Sequence, residues 1–179
     1  MFLLLISDCY LLEQLALQPM ASFGIAMAAF SAQNYGARQF QRIRDAVKKC
    51  SMIAMAFAVC SGILIFFFSE NIIGVFIEEG NPKVIEDALL YLNCSVPFYF
   101  FLSQMFIYRS AVQGMGVGMV PLVSSLIELS MRTGVAKFLA TDWGYRGVCY
   151  ASPVAWVAGS IFLFFAYRYF ISLFERLNR

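Results

Sequence analysis

The chain has 179 residues, 61% of them hydrophobic and 13% charged, with a net charge of +2 and no histidine. A soluble domain is nearer one quarter charged, and the few basic residues do not interleave with exposed aromatics, so a soluble nucleic-acid-binding module is not expected. The five cysteines (Cys9, Cys50, Cys60, Cys94 and Cys149) form no CxxC, so neither a metal centre nor a dithiol redox site is expected, and no nucleophile–base pair or cofactor loop suggests an enzyme.

The apolar residues come in unbroken blocks. No Asp, Glu, Lys or Arg occurs in 14–37, 50–69, 88–108, 110–127 or 147–167. About 20 apolar residues cross roughly 30 Å of hydrocarbon as a helix, which satisfies its own backbone polar groups. The pattern predicts an all-α membrane protein, a five-helix transmembrane bundle with helices near 11–35, 47–70, 84–112, 119–140 and 147–172. Mean hydropathy, +0.73, agrees. Residues 1–12 are apolar but lack a basic start and a small-residue cleavage site, so they do not read as a signal peptide.

The first predicted helix carries Glu13 near its outer end, then Gln14, Gln18 and Pro19. Pro19 removes a backbone hydrogen bond and can bend the helix. A bent helix with amides beside the bend can line a cavity; an interfacial glutamate and a simple kink are the plainer reading. Arg38, Arg42, Arg44, Lys48 and Lys49 follow, read as the loop between helices one and two. Short loops rich in Lys and Arg stay cytoplasmic. The next loop holds Glu70, Glu78, Glu79, Glu86 and Asp87 against Lys83, and is expected outside. The tail, with Arg168, Arg176 and Arg179, returns inside. Five helices with the N-terminus out suggest that a segment upstream is missing.

Helix three contains Asn93, Gln104 and the aromatics Tyr91, Phe98, Tyr99, Phe100 and Phe101. Such a cluster can wall a cavity for organic cations, or be filler between helices and lipid. Pro97 is expected to bend this helix, and Arg109, at its cytoplasmic end, to snorkel to the interface. Residues 113–121, QGMGVGMVP, read as a tight turn with Pro121 opening helix four. Helix four carries Glu128 and Arg132, four apart on one face with the acid first. Charge near the centre of a bilayer costs about 2.5–3.5 kcal/mol. The pair is therefore either a coupling group in a polar cavity or an ion pair that fixes helix packing. Gly62, Gly134 and Gly159 are candidates for close helix contacts.

The strings LEQLALQPMASFGIAMAAFSAQNYGAR (12–38), YRSAVQGMGVGMVPLVSSLIELSMR (108–132) and GVCYASPVAW (147–156) carry a resemblance. Gln33-Asn34-Tyr35-Gly36-Ala37, Arg109 with Gln113-Gly114-x-Gly116, Pro121, Glu128, Arg132, Pro153 and Trp156 follow in an order and spacing similar to the C-terminal half of the multidrug and toxic compound extrusion (MATE) family. The resemblance covers roughly residues 13–172 and leaves 1–12, a possible remnant of family helix seven, poorly matched.

The resemblance implies family helices eight to twelve, the second of two six-helix lobes, in an antiporter that exports organic cations, amphipathic drugs or toxic compounds in exchange for sodium ions or protons by alternating access. Gln18, Gln33, Asn34, Asn93, Tyr99 and Gln104 are the expected cavity groups, and Glu128, Arg132 and Glu13 the candidates for ion coupling or a structural pair. The implied partners are the lipid bilayer, small organic cations or amphipathic drugs, and an N-terminal lobe in cis or as a separate chain, with no nucleic acid, no resident cofactor and no metal. The implied location is the cytoplasmic membrane, multi-pass, with the 37–49 loop and the C-terminus inside. The family often places coupling carboxylates on helices seven and ten, yet 84–112 has no acid after Asp87. An incomplete chain inactive alone, a lipid-linked-precursor flippase of the same superfamily, and a non-transport assembly or scaffold subunit remain as alternatives.

Overall fold

The structure, a computed structural model, describes the backbone of residues 2–76 and 82–178, and the side chains there except those of 2–16, 68–76, 82–85, 88, 140 and 142. The described chain is helical throughout, with no strand among the described residues. Helix α1 spans Phe2–Gly36, α2 Phe40–Phe76, α3 Pro82–Ser95 and α4 Tyr99–Gly114. Helix α5 spans Met119–Trp143, α6 Tyr145–Cys149 and α7 Ala151–Leu177. A 3₁₀ turn, Val96–Phe98, joins α3 to α4 into one broken rod, and α6 leads through Tyr150 into α7. The result is the all-α five-helix bundle that the apolar blocks predict.

The basic segment differs from expectation. It is not a loop: only Ala37–Gln39 separate α1 from α2, and Arg42, Arg44, Lys48 and Lys49 lie on the first turns of α2. The cause is a close-coupled stop and start. Helix α1 ends when Gln39 N–H donates back to Asn34 O at 2.8 Å and Arg38 N–H to Tyr35 O at 3.0 Å. This six-to-one and five-to-two pairing needs a left-handed residue just beyond the helix, and Arg38 takes it with φ 56°. The Gln39 carbonyl then accepts from Arg42 and Ile43, restarting the helix. Helix α4 ends in the same motif: Val117 N–H reaches Val112 O and Gly116 N–H reaches Gln113 O. There the left-handed position belongs to Gly116, φ 83°.

The third predicted span is not merely bent but broken. Pro97 has no N–H, so the carbonyl four residues back loses its helical donor and the turn tightens to 3₁₀. Gly62 of α2 passes beside the break; a Cβ there would stand 3.2 Å from Val96 Cγ1.

Among the described residues, three stretches are long and apolar enough to cross a membrane: Phe40–Phe67, Leu89–Gly114 and Tyr145–Leu177. Helices α1 and α5, expected to span as well, do not reach that apolarity over their described parts. Helix α5 carries Glu128, Arg132 and Lys137, and α1 is rich in alanine, serine and amides.

Helix α4 lies at the centre, packed on α1, α2 and α7, and α5 packs chiefly on α7. In lipid there is little hydrophobic drive between helices, so close backbone approach through small residues matters. A Cβ on Gly114 would stand 2.4 Å from Ala28 O, and one on Gly24 would stand 2.9 Å from Ser110 Oγ. The α1–α4 crossing is therefore built on bare glycine backbone. Gly134, expected to serve such a contact, meets nothing within 4 Å.

Candidate functional site

Glu128, which the sequence places in the hydrocarbon, meets Arg109, which it places at a helix end, between α4 and α5. The guanidinium of Arg109 donates through Nη2 to the Glu128 carboxylate and to Ser124 Oγ at 3.3 Å. Ser124 Oγ in turn donates to Glu128 Oε1 at 2.9 Å. The pair is mostly buried, with 24% of the Arg109 side chain and 15% of the Glu128 side chain exposed. Helix α7 roofs it: a Cβ on Gly159 would stand 3.1 Å from Glu128 Cγ and 3.2 Å from Met105 Sδ. Removing charge from water is expensive unless partner and hydrogen bonds are both in place, and Arg109 and Ser124 supply them here.

Two expectations are corrected by this geometry. Glu128 pairs with Arg109, not Arg132, and Arg132 is exposed. A four-residue spacing only makes neighbours on one helix surface. The neighbouring helix offers a guanidinium to the buried side of Glu128, which Arg132 is turned away from. Arg109 correspondingly does not snorkel toward the helix end. It sits about 8 Å inside the end of α4, five residues before Gly114, and reaches sideways.

The six expected cavity residues divide into two groups. Asn34, Tyr99 and Gln104 are buried within the bundle. Gln104 accepts from Ser51 Oγ of α2 and donates through Nε2 to Ser51 O at 3.2 Å, latching α2 to α4. Tyr99 packs against Trp156 of α7, ring centroids 6.1 Å apart. Asn34 donates to Phe30 O of its own helix at 2.8 Å. The other three, Gln18, Gln33 and Asn93, are exposed. Glu13 and the acidic residues Glu70, Glu78 and Glu79 fall outside the described side chains, as does Lys83.

Gln18 and Gln33 belong to a continuous exposed face of α1 that also holds Ser22, Ile25, Ala26, Ala29 and Ala32. The exposed face of α2 is of another kind: Met52, Ile53, Val59, Ile63, Leu64 and Phe67. That of α7 includes Ile161, Phe165 and Tyr169. The outward face of α1 is thus mixed, amides and small residues around Ile25, while those of α2 and α7 are predominantly bulky and apolar.

A second ion pair ties the basic end. Arg44 Nη2 donates to Glu175 Oε2 at 2.6 Å and to Ser172 Oγ at 3.5 Å, joining the start of α2 to the end of α7. At the opposite end, Tyr145 Oη donates to Asp87 O at 3.5 Å, joining α6 to α3. Ser51, Ser124 and Ser172 each complete one of these links or latches, and their sequence context is ordinary for a helix. Only Gly159 carried a legible signal, as a candidate for close contact.

Residues 9–136 match the MatE family model. The chain is 26% identical over 164 residues, 90% of its length, to a Bacillus subtilis protein described as "Probable multidrug resistance protein YoeA", and covers 35% of that protein. Its fold is similar to a solved outward-facing conformation of a multidrug resistance MATE family transporter, with TM-score 0.88, 19% identity, and coverage of 96% of this chain and 39% of that one. It is equally similar to an inward-facing conformation, with TM-score 0.88, 19% identity, and coverage of 96% and 40%. The chain therefore spans between a third and two-fifths of the length of these three relatives.

Proposed function

This chain belongs to the MatE family, and from that premise we propose that it forms the second lobe of a cation-coupled antiporter that exports organic cations or amphipathic drugs. The proposed action is alternating access. Substrate binds near the bilayer midplane between this lobe and a first lobe, in cis or as a separate chain, and the lobes rock against each other.

The observation that carries this reading is the α1 face. Gln18, Ser22 and Gln33 on it are exposed among alanines and one isoleucine, Ile25. In hydrocarbon the two glutamine amides would lack water to hydrogen-bond, whereas Ser22 Oγ already donates to Gln18 O at 2.9 Å. Facing a second lobe across a wet cavity, they would be hydrated and available to substrate. Helices α2 and α7 turn phenylalanine, isoleucine and leucine outward, which suits lipid. The equal TM-scores against outward- and inward-facing structures support a lobe that moves as one body. We assign Gln104, Asn34 and Tyr99 to holding that body together rather than to contacting substrate. Glu128, already occupied by Arg109 and Ser124, fits a structural pair, and the sodium or proton coupling is assigned to carboxylates elsewhere in the full assembly.

The test uses a cysteine-less full-length protein that carries this lobe. A cysteine at Gln18 or Gln33 should react with a water-soluble thiol reagent, and a transported planar cation such as ethidium should slow the reaction. A cysteine at Ile63 should stay unreactive. If Ile63→Cys reacts as fast as Gln33→Cys, the α1 face is not a cavity wall and the reading fails.

A further inference from the structure

We propose that the cavity at the α1–α2 turn binds the phosphate headgroup of an anionic phospholipid. The cavity measures about 480 Å³, and Arg38, Gln39, Gln41, Arg42 and Asn178 line it together with Glu175. Among the described residues, Arg38 and Arg42 have no ion-pair partner, whereas Glu175 is already engaged by Arg44. The cavity wall therefore offers two uncommitted guanidiniums and one neutralised carboxylate. Arg38, Arg42 and the side-chain amides of Gln39 and Asn178 are donors suited to phosphate oxygens, while Gln41 Nε2 is engaged with Asp45 Oδ1 at 3.1 Å; guanidinium–phosphate hydrogen bonds are among the stronger kinds. Phe40 and Gln41 in the first turn of α2 add backbone N–H groups for which the helix has no acceptor.

The surroundings favour a lipid as the source. Lys48 and Lys49 are exposed one to two turns further along α2, and the exposed Met52 and Ile53 follow directly. Cations next to a lipid-facing surface attract anionic headgroups. Phe40, which also lines the cavity, is packed into an aromatic cluster: it stacks on Phe174 with centroids 6.4 Å apart, and the Tyr35 and Phe174 centroids lie 4.9 Å apart. The inference rests on the chain being embedded in a membrane, and not on transport.

The experiment measures the thermal unfolding midpoint of the full chain in detergent micelles. Three additions are compared: phosphatidylglycerol, phosphatidylcholine, and inorganic phosphate at matched ionic strength. Phosphatidylglycerol should raise the midpoint by about 2–4 °C, and the other two should not. The double variant Arg38→Gly, Arg42→Gln should lose that rise, while Lys48→Gln with Lys49→Gln, which removes equal charge nearby, should keep most of it. Arg38→Gly suits this use because glycine is at ease at φ 56°, so its midpoint without lipid should hold or increase. An equal rise with phosphatidylcholine would overturn the proposal. So would an undiminished rise in the double variant, or an equal loss in the two-lysine variant. A rise from inorganic phosphate alone would assign the cavity to a free anion and overturn the lipid.

Discussion

Glu128 shows how much a single charge constrains at the scale of one residue. Its carboxylate is held by two donors, Arg109 and Ser124, from two helices, in space that the missing side chain of Gly159 leaves open on a third. Removing one partner of a buried pair leaves an uncompensated charge, at a cost of about 3–5 kcal/mol. Arg109→Ala should therefore destabilise by about 3 kcal/mol, the low end because both side chains retain some exposure. Adding Glu128→Gln to an Arg109→Gln background should recover much of the loss, measured as the coupling energy of a double-mutant cycle in detergent. Arg132→Gln should change stability by less than about 0.5 kcal/mol and show no coupling to Glu128. Strong coupling to Arg132 instead would mean that the pair drawn by sequence spacing is the one that matters. Gln104 follows the same logic in neutral form. Its amide engages both the hydroxyl and the carbonyl of Ser51, so replacement by leucine should loosen α2 from α4 by about 1 kcal/mol.

At the scale of elements, glycine and proline decide where rods cross and where they break. Gly114 brings α4 against the Ala28 carbonyl of α1, and a Cβ at 2.4 Å cannot be accommodated without moving one helix. Gly114→Ala should cost about 3 kcal/mol or abolish the folded yield. Gly118→Ala, four residues on in the same connection, meets nothing within 4 Å and should change stability by less than about 0.5 kcal/mol. Similar losses for both would show that the turn, not the crossing, is sensitive. The two helix ends closed by the same hydrogen-bond motif make a related contrast. Gly116 fills the left-handed position after α4 and Arg38 fills it after α1. A side chain there costs roughly 1–2 kcal/mol relative to glycine. Gly116→Ala should accordingly destabilise by about 1 kcal/mol, the opposite sign to Arg38→Gly.

Across the whole molecule, the two ends are distinguished by contacts as well as by charge. Arg44 with Glu175 gathers the α1–α2 turn and the end of α7 at one end, and Tyr145 with Asp87 gathers α6 and the start of α3 at the other. The basic end is expected in the cytoplasm. In a cysteine-less background, an impermeant thiol reagent applied to intact cells should label Thr141→Cys and reach Gln41→Cys only after permeabilisation. The reverse pattern would invert the molecule in the membrane.

Much of the fold was legible in the residue order. Long charge-free blocks specify apolar helices without reference to neighbours, since a helix satisfies its backbone internally. The turn at 113–121 is readable for a similar reason, as a local consequence of glycine and proline, and so is a disturbance at Pro97, though as a bend and not as the break that the structure has. The basic segment reads as a loop because it lies between two charge-free blocks, whereas Arg, Lys and Gln are good helix formers and the stop at Arg38 needs only three residues. Of the candidate site, Glu128 stood out because charge in hydrocarbon is costly, but its partner lies nineteen residues away on another helix. Gln104 stood out as an amide in an apolar block, but Ser51, its partner, is fifty-three residues away. Composition and local pattern thus determined that this chain is a set of membrane helices and which side chains must be accommodated. Only the packing of the helices decided which partner accommodates each one, because partner choice depends on the rotation and crossing of separate rods, and no spacing along a single rod records that.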